Sequence, residues 1–302
     1  MSVLKIAFSS IYKYDLPAGH RFPMDKYELL PQQLLHEGTI TEENFFHPEP
    51  LSDEQILLTH TREYLDKLNN NQLDRREQRA IGFPIRPELI TRGKHIANGT
   101  LQCARYAMEY GVAMNIAGGT HHAYADRGEG FCIFNDFAIT ANVLLTEAAV
   151  KQILIVDLDV HQGNGNAKIF EGDARVFTFS MHGAKNYPLR KEKSDLDIGV
   201  DDGIEDEDYL ALLKAHLPKL IREVKPDLIL YLAGVDIIST DKLGRLGVTR
   251  EGCKHRDRFV FEQAIAHKVP VAVSMGGGYS VQIKDIIEAH ANTFRVAQQL
   301  YF

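Results

Sequence analysis

The stretch Ile153-Leu154-Ile155-Val156-Asp157-Leu158-Asp159-Val160-His161-Gln162-Gly163-Asn164-Gly165 decides the reading of this chain. Its first half is an unbroken aliphatic and β-branched run, the composition of a strand buried on both faces of a parallel sheet. Its second half turns charged and then glycine-rich. Asp157, Asp159 and His161 are spaced by two, so a strand continuing through them would project all three to one side, as ligands converging on one cation. Gly163 and Gly165 then break the strand, and a helix is predicted to begin near Ala167. A single acidic residue at such a strand end commonly caps the next helix. Three polar groups buried together, however, need a cation to satisfy them.

Working outward, strands alternate with helices. Upstream, residues 5–9 read as a first strand, followed by a loop over 15–23 in which His20 and Arg21 are taken as exposed polar residues. Helices are predicted over 24–37, after Ser52 (a capping box with Gln55), over 62–69 and over 87–109, and the charge run 74–79 reads as a solvated helix face or exposed turn. A strand over 112–117 runs into Gly118-Gly119-Thr120-His121-His122, and a helix covers 136–148. Downstream, a buried strand over 176–180 leads to Met181-His182-Gly183, and the polar segment 184–202 reads as a surface loop. Helices over 206–224, 251–267 and 283–300 enclose strands 228–232, ending at Asp236, and 271–274, ending at Gly276-Gly277-Gly278-Tyr279. This is an α/β pattern: a parallel sheet covered by helices on both faces, expected as one domain over 1–302.

Global properties exclude several classes. The chain has 302 residues, 44% hydrophobic, enough for one sizeable core. With a formal net charge of −7 and no basic stripe, nucleic-acid binding is not expected. Cys103, Cys132 and Cys253 lie far apart without a C-x-x-C, so no disulfide framework or thiolate zinc knot is indicated. Residues 1–10 hold too short an apolar run for a signal peptide and no run of eighteen apolar residues occurs, so the expectation is a reduced, cytoplasmic, soluble protein.

In an open parallel sheet the loops at the carboxyl ends of the strands share one edge, where ligands bind. His121 and His122, Asp159 and His161, Asp236, and Tyr279 all fall on such loops. Together they suit a metal hydrolase. Asp159, Asp236 and His161 would hold a divalent ion with positions open for water and a carbonyl, as catalytic zinc sites do, although Fe(II), Mn(II) or Co(II) fit the same donors. The ion would acidify the water and polarise the carbonyl. One histidine would take the water's proton, another would protonate the leaving amine, and Tyr279 would donate to the oxyanion.

Five ordered motifs carry a resemblance: Gly118-Gly119-Thr120-His121-His122-Ala123; Gly130-Phe131-Cys132-Ile133-Phe134-Asn135-Asp136; Asp157 to Gly165; Ala233-Gly234-Val235-Asp236 with Asp241-Lys242-Leu243-Gly244; and Gly276-Gly277-Gly278-Tyr279. Over nearly its whole length the chain resembles the histone deacetylase superfamily, most closely class IV and its bacterial relatives. The resemblance implies an arginase/deacetylase-like domain with a mostly parallel sheet of about eight strands. It implies zinc on Asp159, His161 and Asp236, paired histidines at His121 and His122, Asp157 orienting the first of them, and Tyr279 polarising the carbonyl. Gly130, Phe131, Tyr187 and Gly277 match residues of the acyl-lysine tunnel. Asp157, Asp159, His161, Ser180 and Met181 fall where relatives hold a structural potassium ion.

One departure stands out. Many members pair the second histidine with an aspartate, whereas this chain has Asn164, as class IV proteins do. An amide cannot stabilise an imidazolium as a carboxylate does, so His122 is expected to have a lower pKa than in those members and to act as a neutral base. Cys132 is read as packing. The function implied is removal of an acyl group, acetyl or longer, from acyl-lysine in a peptide or protein, or from a small acylated amine such as an acetylpolyamine. Two other readings stay open: a magnesium-dependent haloacid-dehalogenase-type phosphatase built on Asp157-Leu158-Asp159, and a non-catalytic protein binding acylated ligands.

Overall fold

The computed structural model describes residues 3–302. Eight parallel strands form one sheet: β1 (Lys5–Ala7), β2 (Phe45–Phe46), β3 (Val112–Asn115), β4 (Ile153–Asp157), β5 (Val176–Gly183), β6 (Leu196–Val200), β7 (Leu228–Leu232) and β8 (Val271–Ser274). Their order is β2-β1-β3-β8-β7-β4-β5-β6, and every pairing is parallel. The central strands β3, β4, β7 and β8 are buried at every residue, as their unalternating aliphatic sequences require.

The order positions the site. The four loops carrying the unusual polar residues follow β3, β4, β7 and β8, and these strands are consecutive neighbours, β3-β8-β7-β4, at the middle of the sheet. The chain builds one side as β2-β1-β3, restarts at β4 and runs outward through β5 to β6, then returns with β7 and β8 to close the gap between β4 and β3. Such a reversal leaves a crevice at the strand ends.

Ten α-helices accompany the sheet among the described residues: α1 (Lys26–His36), α2 (Asp53–Ile56), α3 (Arg62–Asn69), α4 (Arg75–Ile81), α5 (Pro87–Tyr110), α6 (Asp136–Thr146), α7 (Asn164–Ile169), α8 (Asp206–Val224), α9 (Arg250–His267) and α10 (Ile283–Tyr301). α5 packs on β1, β3 and β8 and on α6, while α8, α9, α10 and α1 pack in series as a second helical group, so both faces of the sheet are covered. Within α5, Gly93 and Gly99 are buried positions, consistent with close packing.

Of the two readings of 74–79, helix face or exposed turn, the structure has the helix: α4 begins at Arg75, Asp74 accepts from the N–H of Arg76 and Glu77 at 2.6 and 2.8 Å, and Glu77 answers to the Asp74 N–H at 2.6 Å, a complete capping box. Other local expectations are corrected. The Ser52 cap is present at 3.3 Å, but the helix it opens, α2, is one turn long. The segment 184–202 contains β6, whose Leu196-Asp197-Ile198-Gly199-Val200 alternates as an edge strand does; the neighbouring charges masked it. β2, only two residues long, gives too little periodicity to read. Finally α7 starts at Asn164, and Gly165 lies inside it. A Cβ there would stand 2.3 Å from the Ala123 carbonyl oxygen, so this glycine marks a close approach of the helix to the His121-His122 turn rather than a break.

Candidate active site

β4 ends at Asp157, so continued strand geometry is not what aligns Asp159 and His161. Backbone hydrogen bonds do it. The Asp159 N–H donates to Asp157 Oδ1 at 3.2 Å, the His161 N–H to Asp159 Oδ1 at 2.9 Å, and the Val160 N–H to Asp236 Oδ1 at 2.9 Å. Asp157 and Asp159 thereby each fold the segment that follows, Asp236 pins the same segment from the next strand's loop, and all three carboxylates are themselves oriented.

The result is a tight cluster. One ligand atom from each of Asp159, His161 and Asp236 lies within 4.8 Å of the others, and all three residues are buried. His161 Nδ1 sits 3.1 Å from both Asp159 Oδ1 and Asp236 Oδ2. Tetrahedral zinc with bonds of about 2.0–2.1 Å spaces its ligands by about 3.3 Å, close to the two distances from His161. Electrostatics agree. Burial and the charge of Asp159 push the Asp236 carboxyl up to about 7. Burial opposes charge on His161, yet hydrogen bonding to Asp159 and Asp236 lifts it to about 10. Two buried carboxylates side by side demand positive charge, and a divalent ion supplies it better than one shared proton. The backbone closes over this cluster at Gly277, whose N–H donates to Asp159 Oδ2 at 2.9 Å and where a Cβ would lie 2.0 Å from Asp236 Oδ2.

Two histidines stand beside it, ring centroids 4.1 Å apart. His121 Nδ1 donates to Asp157 Oδ2 at 2.7 Å; burial opposes its charge, but Asp157 overrides this and raises its pKa. His122 Nδ1 donates to Asn164 Oδ1 at 2.6 Å, and the Asn164 amide donates onward to the Tyr124 hydroxyl at 3.0 Å. Burial, then the neighbouring His121 and His161, hold His122 well below the usual imidazole range. With Nδ1 committed in both rings, Nε2 is the free nitrogen of each. Asp157 has one oxygen on His121 and the other on the Asp159 N–H, so it is no free nucleophile, as the phosphatase reading requires.

Tyr279 is half-buried, its ring 6.3 Å from that of His161, and its N–H is held by Asp241 Oδ2. Burial, reinforced by Asp236 and Asp159, keeps its hydroxyl protonated far above 10.0. The cavity above is walled by aromatics: Phe131 lies 6.1 Å from Tyr279, and Tyr187 meets His122 edge-on at 5.0 Å. Phe131 has φ +68°, and backbone hydrogen bonds from Gly130 N–H to Ala80 O (2.9 Å) and Phe131 N–H to Ile81 O (2.7 Å) hold it there. Cys132 is buried behind this wall, where burial pushes its thiol up, in keeping with packing.

Against this geometry stand the relatives. The histone deacetylase domain profile matches residues 20–294. Histone deacetylase 2 of Arabidopsis thaliana is 30% identical, over 92% of this chain and 75% of its own. The chain belongs to the histone deacetylase family. An uncharacterized protein of Picosynechococcus sp. is 41% identical over 98% of this chain and 99% of its own, and acetoin utilization protein AcuC of Staphylococcus aureus is 28% identical over 89% of this chain and 74% of its own. The crystal structure of the HDA15 HD domain shares the fold, with a TM-score of 0.82 at 20% identity over 97% of this chain and 90% of that one. Family membership makes the chain a deacetylase-type hydrolase.

Within this deacetylase-family site, sequence reading missed five contributors. Asp136 accepts from the N–H groups of Gly119 (3.0 Å) and Thr120 (2.7 Å) and from the Thr100 hydroxyl (2.7 Å), fixing the turn that presents both histidines. Phe22 lies 5.2 Å from Phe131 and 5.9 Å from Tyr279, completing the wall. His20, expected to be exposed, is half-buried with Nε2 on the Gly82 carbonyl at 2.9 Å. Lys26 is fully buried, donates to the Gly276 carbonyl at 2.9 Å and is drawn down to about 8 by burial. Arg256, on α9 and fully buried, donates through Nη1 to the carbonyls of Leu158 (3.2 Å) and Gly234 (2.5 Å), directly behind Asp159 and Asp236, while Nε pairs with Asp257 at 2.9 Å. A lone Asp, Phe, Lys or Arg carries no spacing signal; only "Arg-Asp" on an otherwise apolar helix face hinted at Arg256. Ser180 lies in register with Asp157 across β4 and β5, and its hydroxyl bonds His182 Nδ1 at 2.9 Å; Met181 follows it on the same strand.

Proposed function

We propose that the protein is a metal-dependent amidohydrolase that removes a short acyl group from acyl-lysine or a related amine. One observation carries this reading: a carboxylate–carboxylate–imidazole trio, two histidines with differently biased charge, and a protonated tyrosine share one aromatic-walled pocket. The donor set and spacing of Asp159, His161 and Asp236 fit a divalent ion, zinc first, which when bound polarises the substrate carbonyl and acidifies water.

The chain's own groups supply the rest. Phe131 and Tyr187 flank the methylene stem of the substrate, and the Gly130 carbonyl accepts its amide N–H. His122, neutral because burial and two neighbouring imidazoles disfavour its charge, takes the proton of the attacking water at Nε2. His121, whose charge Asp157 supports, gives a proton to the departing amine. Tyr279 donates to the developing oxyanion. Each proton transfer of this kind contributes about 10²–10⁴-fold. Asn164 in place of a carboxylate supports grouping the chain with class IV. A potassium ion near Asp157, Ser180 and Met181 would be structural.

The space available supports a short acyl group. The inner pocket beside the histidines, lined by Phe22, Tyr27, Phe83 and Ile96 and reached by Arg92, holds about 40 Å³. At about 10–15 Å³ per water that is roughly three waters' worth of room, suited to acetyl rather than a long chain. The test is turnover of acetyl-, butyryl- and myristoyl-lysine peptides by metal-replete protein, with Tyr279→Phe as control. Acetyl-lysine is expected to be the best substrate and the variant impaired; no turnover of any peptide overturns the reading.

A further inference from the structure

The mouth of this pocket has a charge opposite to that of the protein. The chain carries a formal net charge of −7. Yet the entrance, a cavity of about 450 Å³, is lined by four cations, Arg21, Arg79, Lys185 and Arg245, against one carboxylate, Glu129. That carboxylate is already engaged, accepting from the Tyr187 hydroxyl and lying 4.0 Å from Arg127 Nε. Lys185 and Arg245 share a single partner, Asp202, at 3.6 and 3.5 Å. Neither Arg21 nor Arg79 stands within 4.0 Å of a carboxylate among the described residues.

The two unpaired arginines are held over the tunnel by the fold. The Arg21 guanidinium lies 4.9 Å from the centroid of Phe131, the tunnel wall itself. Arg79 sits in the last turn of α4, whose carbonyls at Ala80 and Ile81 receive the N–H groups of Gly130 and Phe131. Arg21 is therefore stacked on the tunnel wall and the backbone that carries Arg79 is tied to it, and both side chains are exposed to solvent. Fixed like charges around a concave opening focus potential there and attract the opposite sign.

We infer that the entrance selects acyl-lysine in an acidic peptide segment, with Asp or Glu side chains flanking the lysine engaging Arg21 and Arg79. This rests on the deacylase reading above and adds a substrate class to it. The cations border the mouth from separate segments, at residues 21, 79, 185 and 245, so a peptide with several acidic side chains engages more of them than the single carboxylate of a small amine. A polycationic amine meets the wrong sign altogether.

The experiment compares kcat/KM for acetyl-lysine peptides with acidic, neutral and basic flanks, for free Nε-acetyllysine and for an acetylpolyamine, at low and high salt. The acidic peptide is expected to lead the neutral one by about tenfold at low ionic strength, the size expected of two exposed charge pairs before screening. The lead shrinks as salt shortens the Debye length from about 30 to about 3 Å. In the Arg21→Glu/Arg79→Glu protein, whose folding is checked by thermal melting, the order of acidic and basic peptides reverses. Equal or better turnover of the basic peptide, or of the free amino acid or polyamine, by the unmodified protein overturns this inference while leaving the deacylase reading intact. Silence on every substrate removes both.

Discussion

Replacing Arg256 with Met removes a charge that no solvent-facing argument would single out. The side chain is fully buried, pairs with Asp257, and holds the Leu158 and Gly234 carbonyls behind two of the three candidate ligands. Asp257 would keep donors from the hydroxyls of Tyr231 and Thr293, at 2.5 and 2.7 Å, but no counter-charge. Breaking one side of a buried ion pair costs about 3–5 kcal/mol, which includes the stranded carboxylate. Two buried carbonyls losing their donor would by themselves cost about 1–3 kcal/mol each. The expected loss is therefore at least about 3 kcal/mol, a large share of a typical stability of about 5–15 kcal/mol. Equilibrium urea unfolding measures it. Arg256→Met/Asp257→Asn, which removes both charges, should lose less than the sum of the two single variants, with a coupling above about 1 kcal/mol. Because the released carbonyls adjoin Asp159 and Asp236, zinc affinity measured against a competing chelator should also weaken, by about 10–100-fold as for other residues that orient ligands. A loss below about 1 kcal/mol with wild-type zinc retention would refute the reasoning.

Four further outcomes follow from the structure. His60 is buried and accepts the Asn135 N–H at Nε2 (3.0 Å), and burial holds its pKa at about 4; since its folded value lies below the unfolded 6.5, its neutral form contributes stability above pH 6.5 that is lost as pH falls toward 4. At about 1.4 kcal/mol per unit this is roughly 3 kcal/mol, and His60→Gln should flatten that part of a stability–pH curve relative to wild type. Asn164→Asp places a carboxylate on His122 Nδ1, so the acid limb of kcat/KM should move to higher pH; an unmoved limb would show that His122 is not the base. Gly277→Ala pushes a methyl into Asp236 Oδ2 and should abolish metal retention, read by metal analysis, while circular dichroism stays native. Asp236→Ala should lose both bound metal and hydrolysis, and full hydrolysis after that change would end the metal-centre reading.

Much of this protein is written locally. Unalternating aliphatic runs such as Ile153–Asp157 and Leu228–Leu232 announce buried parallel strands, because only a strand covered on both faces has no polar side to present. The polar residues just after those runs mark the site, because strand ends in such sheets open onto a shared edge. What the sequence leaves open is distance. That β3, β8, β7 and β4 are neighbours, bringing His121, Tyr279, Asp236 and Asp159 together, is set by packing between segments far apart in the chain. The same holds for Asp136, Lys26 and Arg256, buried polar residues whose purpose is a partner up to 250 residues away, and for Arg21 and Arg79, ordinary surface charges until the fold sets them on one rim. Residue type and short-range period are local properties and can be read in line; which buried charge meets which, and where a cavity opens, depends on chain closure and exists only once the sheet has formed.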